Sequence, residues 1–178
     1  MRLFIALRFN DEVTAKLQAA VDALRSQSIR GNFTRPENLH LTLVFLGEQP
    51  DPANYIRALE TLEAYCLKIQ LAKTGRFKHE GGDIVFAGFQ GGDELKTLYR
   101  AVCRALERAG FACGGSEYIP HVTLGREVVF KQSAGMAYVD RLLRGITIPA
   151  NAVSLMCSER TGGQLVYSEL YAVPLKKR

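Results

Sequence analysis

The 178-residue sequence predicts a duplicated α+β architecture with pseudo-twofold symmetry, on three observations. The run Asn38-Leu39-His40-Leu41-Thr42-Leu43-Val44-Phe45-Leu46-Gly47 carries a His-apolar-Thr-Leu core that recurs as His121-Val122-Thr123-Leu124. Strand-helix-strand-helix order is expected in both halves of the chain, each half holding one copy. No linker rich in Pro, Ser or Gly and no low-complexity stretch separates the halves, so they should share an interface and move little against each other. Outside the two motifs the repeat is weak.

The elements follow from local pattern. Arg2 to Phe9 reads as a strand, with Leu3, Ile5 and Leu7 alternating with Phe4, Ala6 and Arg8. Asn10 suits a helix N-cap, Asp11 and Glu12 place acid in the first turn, and Val13, Leu17, Ala20, Val21 and Leu24 form a helical stripe up to Gln27. Gly31 to Glu37 is a turn-rich approach to the first histidine strand, which Gly47 to Pro50 ends. Asp51 and Pro52 look like the N-cap and first residue of a helix marked by Tyr55, Leu59, Leu62 and Cys66.

A strand over Ile69 to Phe77, a hairpin loop from Lys78 to Asp83 and a strand over Ile84 to Phe89 come next. A Gly-Gly-Asp turn opens a helix carrying Leu95, Leu98, Tyr99, Val102, Ala105 and Leu106, with Gly110 as its stop. The second histidine strand arrives behind Pro120, Ser133 to Leu143 is read as a helix, and Ile146 to Pro174 as strands with a hairpin turn at Thr161-Gly162-Gly163-Gln164.

Composition narrows the class. Apolar residues make up 47% and charged residues 23%, as in a soluble globular protein. No apolar run approaches the ~18 to 20 residues that span a bilayer, and Met1-Arg2-Leu3-Phe4-Ile5 is too short for a signal peptide, so a cytoplasmic location is the default expectation. Cys66, Cys103, Cys113 and Cys157 show no Cys-x-x-Cys pair or disulfide framework and are read as buried free thiols. The net charge of +5 favours polyanionic partners. Part of that excess is the terminal Lys176-Lys177-Arg178, read as a solvated end.

In a strand, residues two apart share a face, so His40 and Thr42 point one way, as do His121 and Thr123, while Leu41, Leu43, Val122 and Leu124 enter the core. A lone histidine in an apolar strand reads as a core residue. Two of three histidines with the same Thr and Leu offsets read instead as a proton donor and a proton acceptor facing one substrate. His79, between Lys78 and Glu80 beside two glycines, is a loop residue. No carboxylate or Cys repeats at ligand spacing with the histidines, and neither a phosphate-binding loop nor a dinucleotide fingerprint is present, so no metal and no nucleotide cofactor is expected.

Pro36-Glu37-Asn38-Leu39-His40-Leu41-Thr42-Leu43-Val44-Phe45-Leu46-Gly47 and Pro120-His121-Val122-Thr123-Leu124-Gly125-Arg126 together resemble the two-histidine phosphoesterase superfamily. Within it the chain is most similar to the bacterial and archaeal RNA 2′,3′-cyclic phosphodiesterases, also called 2′-5′ RNA ligases. That resemblance implies a single bilobal domain over residues 1–178, with two pseudo-twofold-related lobes, antiparallel sheets lining a central basic groove and helices outside. It implies metal-independent hydrolysis of a terminal 2′,3′-cyclic phosphate to a 2′-phosphate, with reversible, ATP-independent 2′-5′ ligation, by a monomer that needs no membrane.

Carried over by residue, the family pattern makes His40 the donor to O3′ and His121 the acceptor that activates water. Thr42 and Thr123 bind the non-bridging phosphate oxygens. Arg126 matches a basic position that follows the second motif in the family. Strict alternation puts Arg126 opposite His121, so it can reach the phosphate where the strand bulges or ends near Gly125. Phe45 is off the catalytic parity and is read as core. Family members often place a Trp ahead of the first motif; this chain has none, and Phe33 is the nearest aromatic there. Two other readings remain: the same chemistry on a small cyclic nucleotide, and a non-catalytic RNA-binding module on this fold. Intact histidines and threonines speak against the last, since a binding groove needs charge and stacking more than titratable groups.

Overall fold

A computed structural model describes residues 1–113 and 117–177. In chain order the elements are β1 (Arg2–Arg8), α1 (Asp11–Ser26), β2 (Ser28–Phe33), a 3-10 turn at Pro36–Asn38, β3 (His40–Glu48), α2 (Ala53–Glu60), β4 (Leu67–Phe77), β5 (Asp83–Phe89), α3 (Asp93–Arg108), β6 (Val122–Phe130), α4 (Ala137–Leu143), β7 (Thr147–Ala150), β8 (Ala152–Thr161) and β9 (Gln164–Pro174). The strands form two antiparallel sheets, ordered β3-β1-β8-β9 and β2-β6-β5-β4-β7. The fold is therefore α+β, as expected.

Local chemistry sets several boundaries. Asn10 caps α1 by accepting the Val13 N–H at 2.9 Å, ahead of the acidic pair Asp11 and Glu12. The helix after Pro52 is shorter than its apolar stripe suggests: it stops at Glu60, and Cys66 instead donates its N–H to the Lys176 carbonyl at 2.9 Å. The Lys176 backbone is thereby docked, while its side chain and Lys177 are exposed as expected, and Arg178 lies outside the described residues. The supposed turn from Gly31 is the end of strand β2. Pairing with β6 overrides the local turn signal, and Gly31 permits the approach, since a Cβ there would stand 3.1 Å from the Phe33 ring and 3.2 Å from Val128. His79 is exposed in the loop between β4 and β5.

Each sheet holds one motif, but neither sheet is one half of the chain. The first joins β1 and β3 to β8 and β9 from the C-terminal end, and the second takes β2 from the N-terminal half into its edge beside β6. Helices cross over as well: α1 packs on β2 and β6 with α4 beside it, and α3 packs on β3. One continuous apolar core results, including Leu3, Ile5, Leu7, Leu41, Leu124, Leu106 and Leu143. Among the described residues no helix is long and apolar enough to cross a membrane.

Two of the four cysteines depart from the expected free thiols. Gly110, with φ 86°, turns the chain back after α3. Cys113 thereby comes to a Cα–Cα separation of 5.2 Å from Cys103, within disulfide reach, and the two are bonded. Cys66 and Cys157 are free.

The feature that matters most for the cleft is a slip in each motif strand. Along β3, Leu43 and Val44 are both buried, so the alternation reverses and Phe45 emerges 70% exposed. The β1–β3 register shifts accordingly: Ala6 faces Thr42, while Phe4 faces Phe45 and Leu3 faces Gly47. Along β6, Leu124 and Gly125 are both buried and Arg126 emerges, with register shifts against β5 between Asp83 and Val85 and between Val85 and Phe86. Phe45 and Arg126 each lie five residues after their histidine. The second slip is held in place by Gly82, whose φ is 121° and whose Cβ, if present, would stand 2.6 Å from the Glu127 carbonyl carbon. Glu127 itself adopts a φ of 53°. Gly82→Ala is expected to destabilise the fold by about 2 kcal/mol or more, read from the urea midpoint at unchanged slope; an unchanged midpoint would show that β6 accommodates the methyl group.

Candidate active site

The two histidines are built alike. At the start of β3, His40 Nδ1 lies 2.7 Å from the carbonyl of Asn38, two residues back. A carbonyl can only accept, so Nδ1 carries a proton and Nε2 is left with its lone pair toward Thr42 Oγ1 at 3.0 Å, where the hydroxyl donates. Just before β6, His121 Nδ1 likewise donates to the carbonyl of Ile119, two residues back, at 2.7 Å. Each ring is also flanked by two aromatics. Phe4 and Tyr167 stand 5.0 Å and 5.1 Å from His40, and Phe77 and Phe86 stand 5.5 Å and 5.3 Å from His121, between ring centroids. Phe86 lies over Gly75, where a Cβ would come within 2.4 Å of its ring.

The segment leading into each motif is fastened to the other motif. Thr34, ahead of His40, donates its N–H to Leu124 O and its hydroxyl to Thr123 O, both at 2.9 Å. Tyr118, ahead of His121, donates its hydroxyl to Thr42 O at 3.3 Å and stacks on Tyr99 of α3 at 4.3 Å. Burial pushes the Tyr118 phenol well above its usual range, so it stays protonated and able to donate.

These constraints set both motifs along one cleft of about 1040 Å³ between the sheets. All five site residues named from the sequence, His40, Thr42, His121, Thr123 and Arg126, line it. Arg126 arrives there because the strand slips at Gly125. Phe45, expected in the core, lines it too, because the equivalent slip in β3 reverses its side. A comparison of the two motifs at equal offset from their histidines was the available signal for Phe45. Phe4, Phe77, Tyr118 and Thr34 left no such mark, since their roles depend on pairing between distant strands. Phe33, half-buried, carries the Arg25 guanidinium over its ring at 5.2 Å. Among the described residues no group of three or more His, Cys, Asp or Glu side chains is placed to hold a metal ion.

Electrostatics follow from the cleft. Burial pushes the His40 imidazole below its usual pKa, the hydrogen bond to Asn38 opposes that, and the positive charges of Arg126 and His121 add to the lowering. Burial raises the Tyr167 phenol, and the charges of Arg126 and Arg2 partly offset it. A phosphate anion between these groups would favour the protonated imidazole.

Two imidazoles with Nδ1 on a backbone carbonyl, two hydroxyls and an arginine line one cleft, an arrangement chemically suited to proton transfer beside an anion. The profile of the 2′-5′ RNA ligase superfamily matches residues 13–162, and the chain belongs to that family. It is 32% identical to an RNA 2′,3′-cyclic phosphodiesterase of Thermus thermophilus, over 99% of this chain and 91% of the relative. It is 26% identical to one of Thermotoga maritima, over 96% and 94%. A solved structure of a Thermus thermophilus protein superposes with a TM-score of 0.78 at 28% identity, covering 98% of both chains. E. coli LigT in its apo form shares the fold, with a TM-score of 0.73 at 22% identity over 98% and 96%.

His40 is expected to titrate below the reference of ~6.5 in the free protein, and to move upward in Arg126→Gln, when followed by imidazole NMR. Because its folded pKa is depressed, the unfolded chain takes up the proton first; the stability associated with neutral His40 is lost as pH falls from ~6.5 through the lower folded value. An Arg126→Gln titration that coincides with wild type would remove Arg126 from the set of groups acting on His40.

Proposed function

We propose that the protein is a metal-independent phosphodiesterase that opens a 2′,3′-cyclic phosphate at the end of an RNA, leaving a 2′-phosphate. The observation that carries this reading is the pair of imidazoles, each with Nδ1 held on a carbonyl two residues back and each lining the same cleft. The relatives named RNA 2′,3′-cyclic phosphodiesterase support the substrate class.

In the proposed reaction, His121 Nε2 takes a proton from water as the water oxygen bonds to phosphorus. His40, protonated at Nε2 once the phosphate is bound, gives that proton to O3′ as the P–O3′ bond breaks. Thr42 and Thr123 hydroxyls and the Arg126 guanidinium hold the non-bridging oxygens, where charge gathers in the transition state. The lowered pKa of free His40 fits this role only with the substrate in place, so binding at neutral pH takes up a proton. Phe45, exposed on the wall beside Phe4, offers a face on which the terminal base stacks. A 5′-hydroxyl replacing water gives 2′-5′ joining through the same two proton transfers, reversibly and without ATP. One chain supplies both histidines, so a monomer suffices and residues 1–178 act as one catalytic domain.

RNA ending in a 2′,3′-cyclic phosphate, incubated with the protein in chelator and without ATP, is expected to yield a 2′-phosphate. His40→Ala and His121→Ala should each lower turnover by ~10²- to 10⁴-fold, and the double variant by far less than the product of the two. Turnover abolished by chelator and restored by a divalent ion would contradict the mechanism. Binding of the RNA without turnover would instead favour a non-catalytic module.

A further inference from the structure

Beyond the histidines the cleft continues along the first sheet to residues that the acid–base chemistry does not use. Arg2 of β1 stands opposite Ser158 of β8, and Arg160, two residues further along β8, shares the Ser158 face. All three line the cleft. Among the described residues, neither arginine has a carboxylate within ion-pair distance. Glu48, the register partner of Arg2 on β3, is turned instead to the N-terminal ammonium at 3.5 Å, and alternation puts Glu159 on the opposite face of β8 from Ser158 and Arg160. At the other end of β1, Arg8 is already paired with Glu169, which also accepts from Ser154 Oγ at 2.9 Å. The Arg2 end of β1 thus carries unmatched positive charge.

Its spacing from Phe4, the neighbour of His40, suggests a ligand. Phe4, in contact with both His40 and Phe45, is two residues from Arg2 on β1, or about 7 Å of strand, comparable with one nucleotide of extended backbone. The influence of both Arg126 and Arg2 on the Tyr167 phenol places Arg2 within electrostatic reach of the catalytic walls. Guanidinium groups beside a hydroxyl are suited to a phosphodiester, which two N–H donors can grip at once.

We propose that Arg2, Ser158 and Arg160 form a second anion subsite for the phosphodiester on the 5′ side of the terminal nucleotide. This rests on the cyclic phosphodiesterase reading and deepens it: the preferred substrate is an oligonucleotide end rather than a nucleoside 2′,3′-cyclic phosphate. The subsite holds one backbone phosphate and takes no part in bond breaking.

The test compares kcat/KM for three probes: a dinucleotide ending in a 2′,3′-cyclic phosphate, the same dinucleotide with a neutral methylphosphonate linkage, and a nucleoside 2′,3′-cyclic phosphate. Wild type is expected to prefer the first. Arg2→Gln and Arg160→Gln, both at exposed positions, should each reduce activity on the first probe roughly ten- to hundredfold, through KM. They should leave the other two probes within about twofold, and lower the salt slope for the charged dinucleotide by about 0.7 per lost contact. Equal losses on all three probes, or no loss on any, would overturn the subsite while leaving the phosphodiesterase intact. A wild-type protein inert on all three would overturn the phosphodiesterase reading and the subsite with it.

Discussion

The cleft depends on a one-residue slip in each motif strand. A β-strand that kept strict alternation would place His40 and Thr42, or His121 and Thr123, on one face and the residue five after the histidine on the other. Burying two successive residues, Leu43 with Val44 and Leu124 with Gly125, shifts the downstream half of each strand by one position. The apolar residues still reach the core, while Phe45 and Arg126 join the histidines in the cleft. One wall thus gains an aromatic face and the other a fixed positive charge from equivalent positions of a repeat. The slip in β6 is permitted by glycine: a Cβ on Gly125 would stand 3.0 Å from Val128 and 3.2 Å from Phe33.

The proposed acid–base catalysis across the cleft would need the two walls to hold their spacing to a fraction of an ångström. The chain interleaves its strands in a way that suits this need. Since β2 belongs to the sheet of the second motif and β8 and β9 to the sheet of the first, neither sheet can move as an independent half. Thr34 on the carbonyls of Thr123 and Leu124, and Tyr118 on the carbonyl of Thr42, tie each approach segment to the opposite motif at the level of the reacting groups. The disulfide between Cys103 and Cys113 ties α3, which carries Tyr99, to the segment that follows it.

Much of this was legible in the sequence because it is local. The paired His-x-Thr-Leu runs, the Asn10 cap, the glycine turns and the third amphipathic helix all report neighbours within a few residues. What escaped depends on distant pairing. The end of strand β2 reads as a turn because Gly31 and Pro36 carry turn chemistry and its β6 partner lies far along the chain. Phe45 reads as core because alternation cannot register a bulge. Arg126 carried the condition that the strand slip near Gly125, which the backbone meets. Two contiguous halves were the natural expectation from a repeat, and the exchange of strands between sheets leaves no periodic mark. The Cys103–Cys113 bond depends on the reversal at Gly110, which cysteine spacing alone does not show.

Burial, with the charge of Arg126 adding to it, lowers the pKa of the His40 imidazole. In the proposed reaction the bound cyclic phosphate opposes that lowering and completes the acid. Which imidazole donates is tested most directly with a phosphodiester whose leaving group is nitrophenolate, an oxygen that departs without a proton. His40→Ala is expected to hydrolyse that ester at close to the wild-type rate while His121→Ala remains impaired. Rescue of His121→Ala instead would reverse the two roles, and equal impairment of both variants would contradict proton donation by His40.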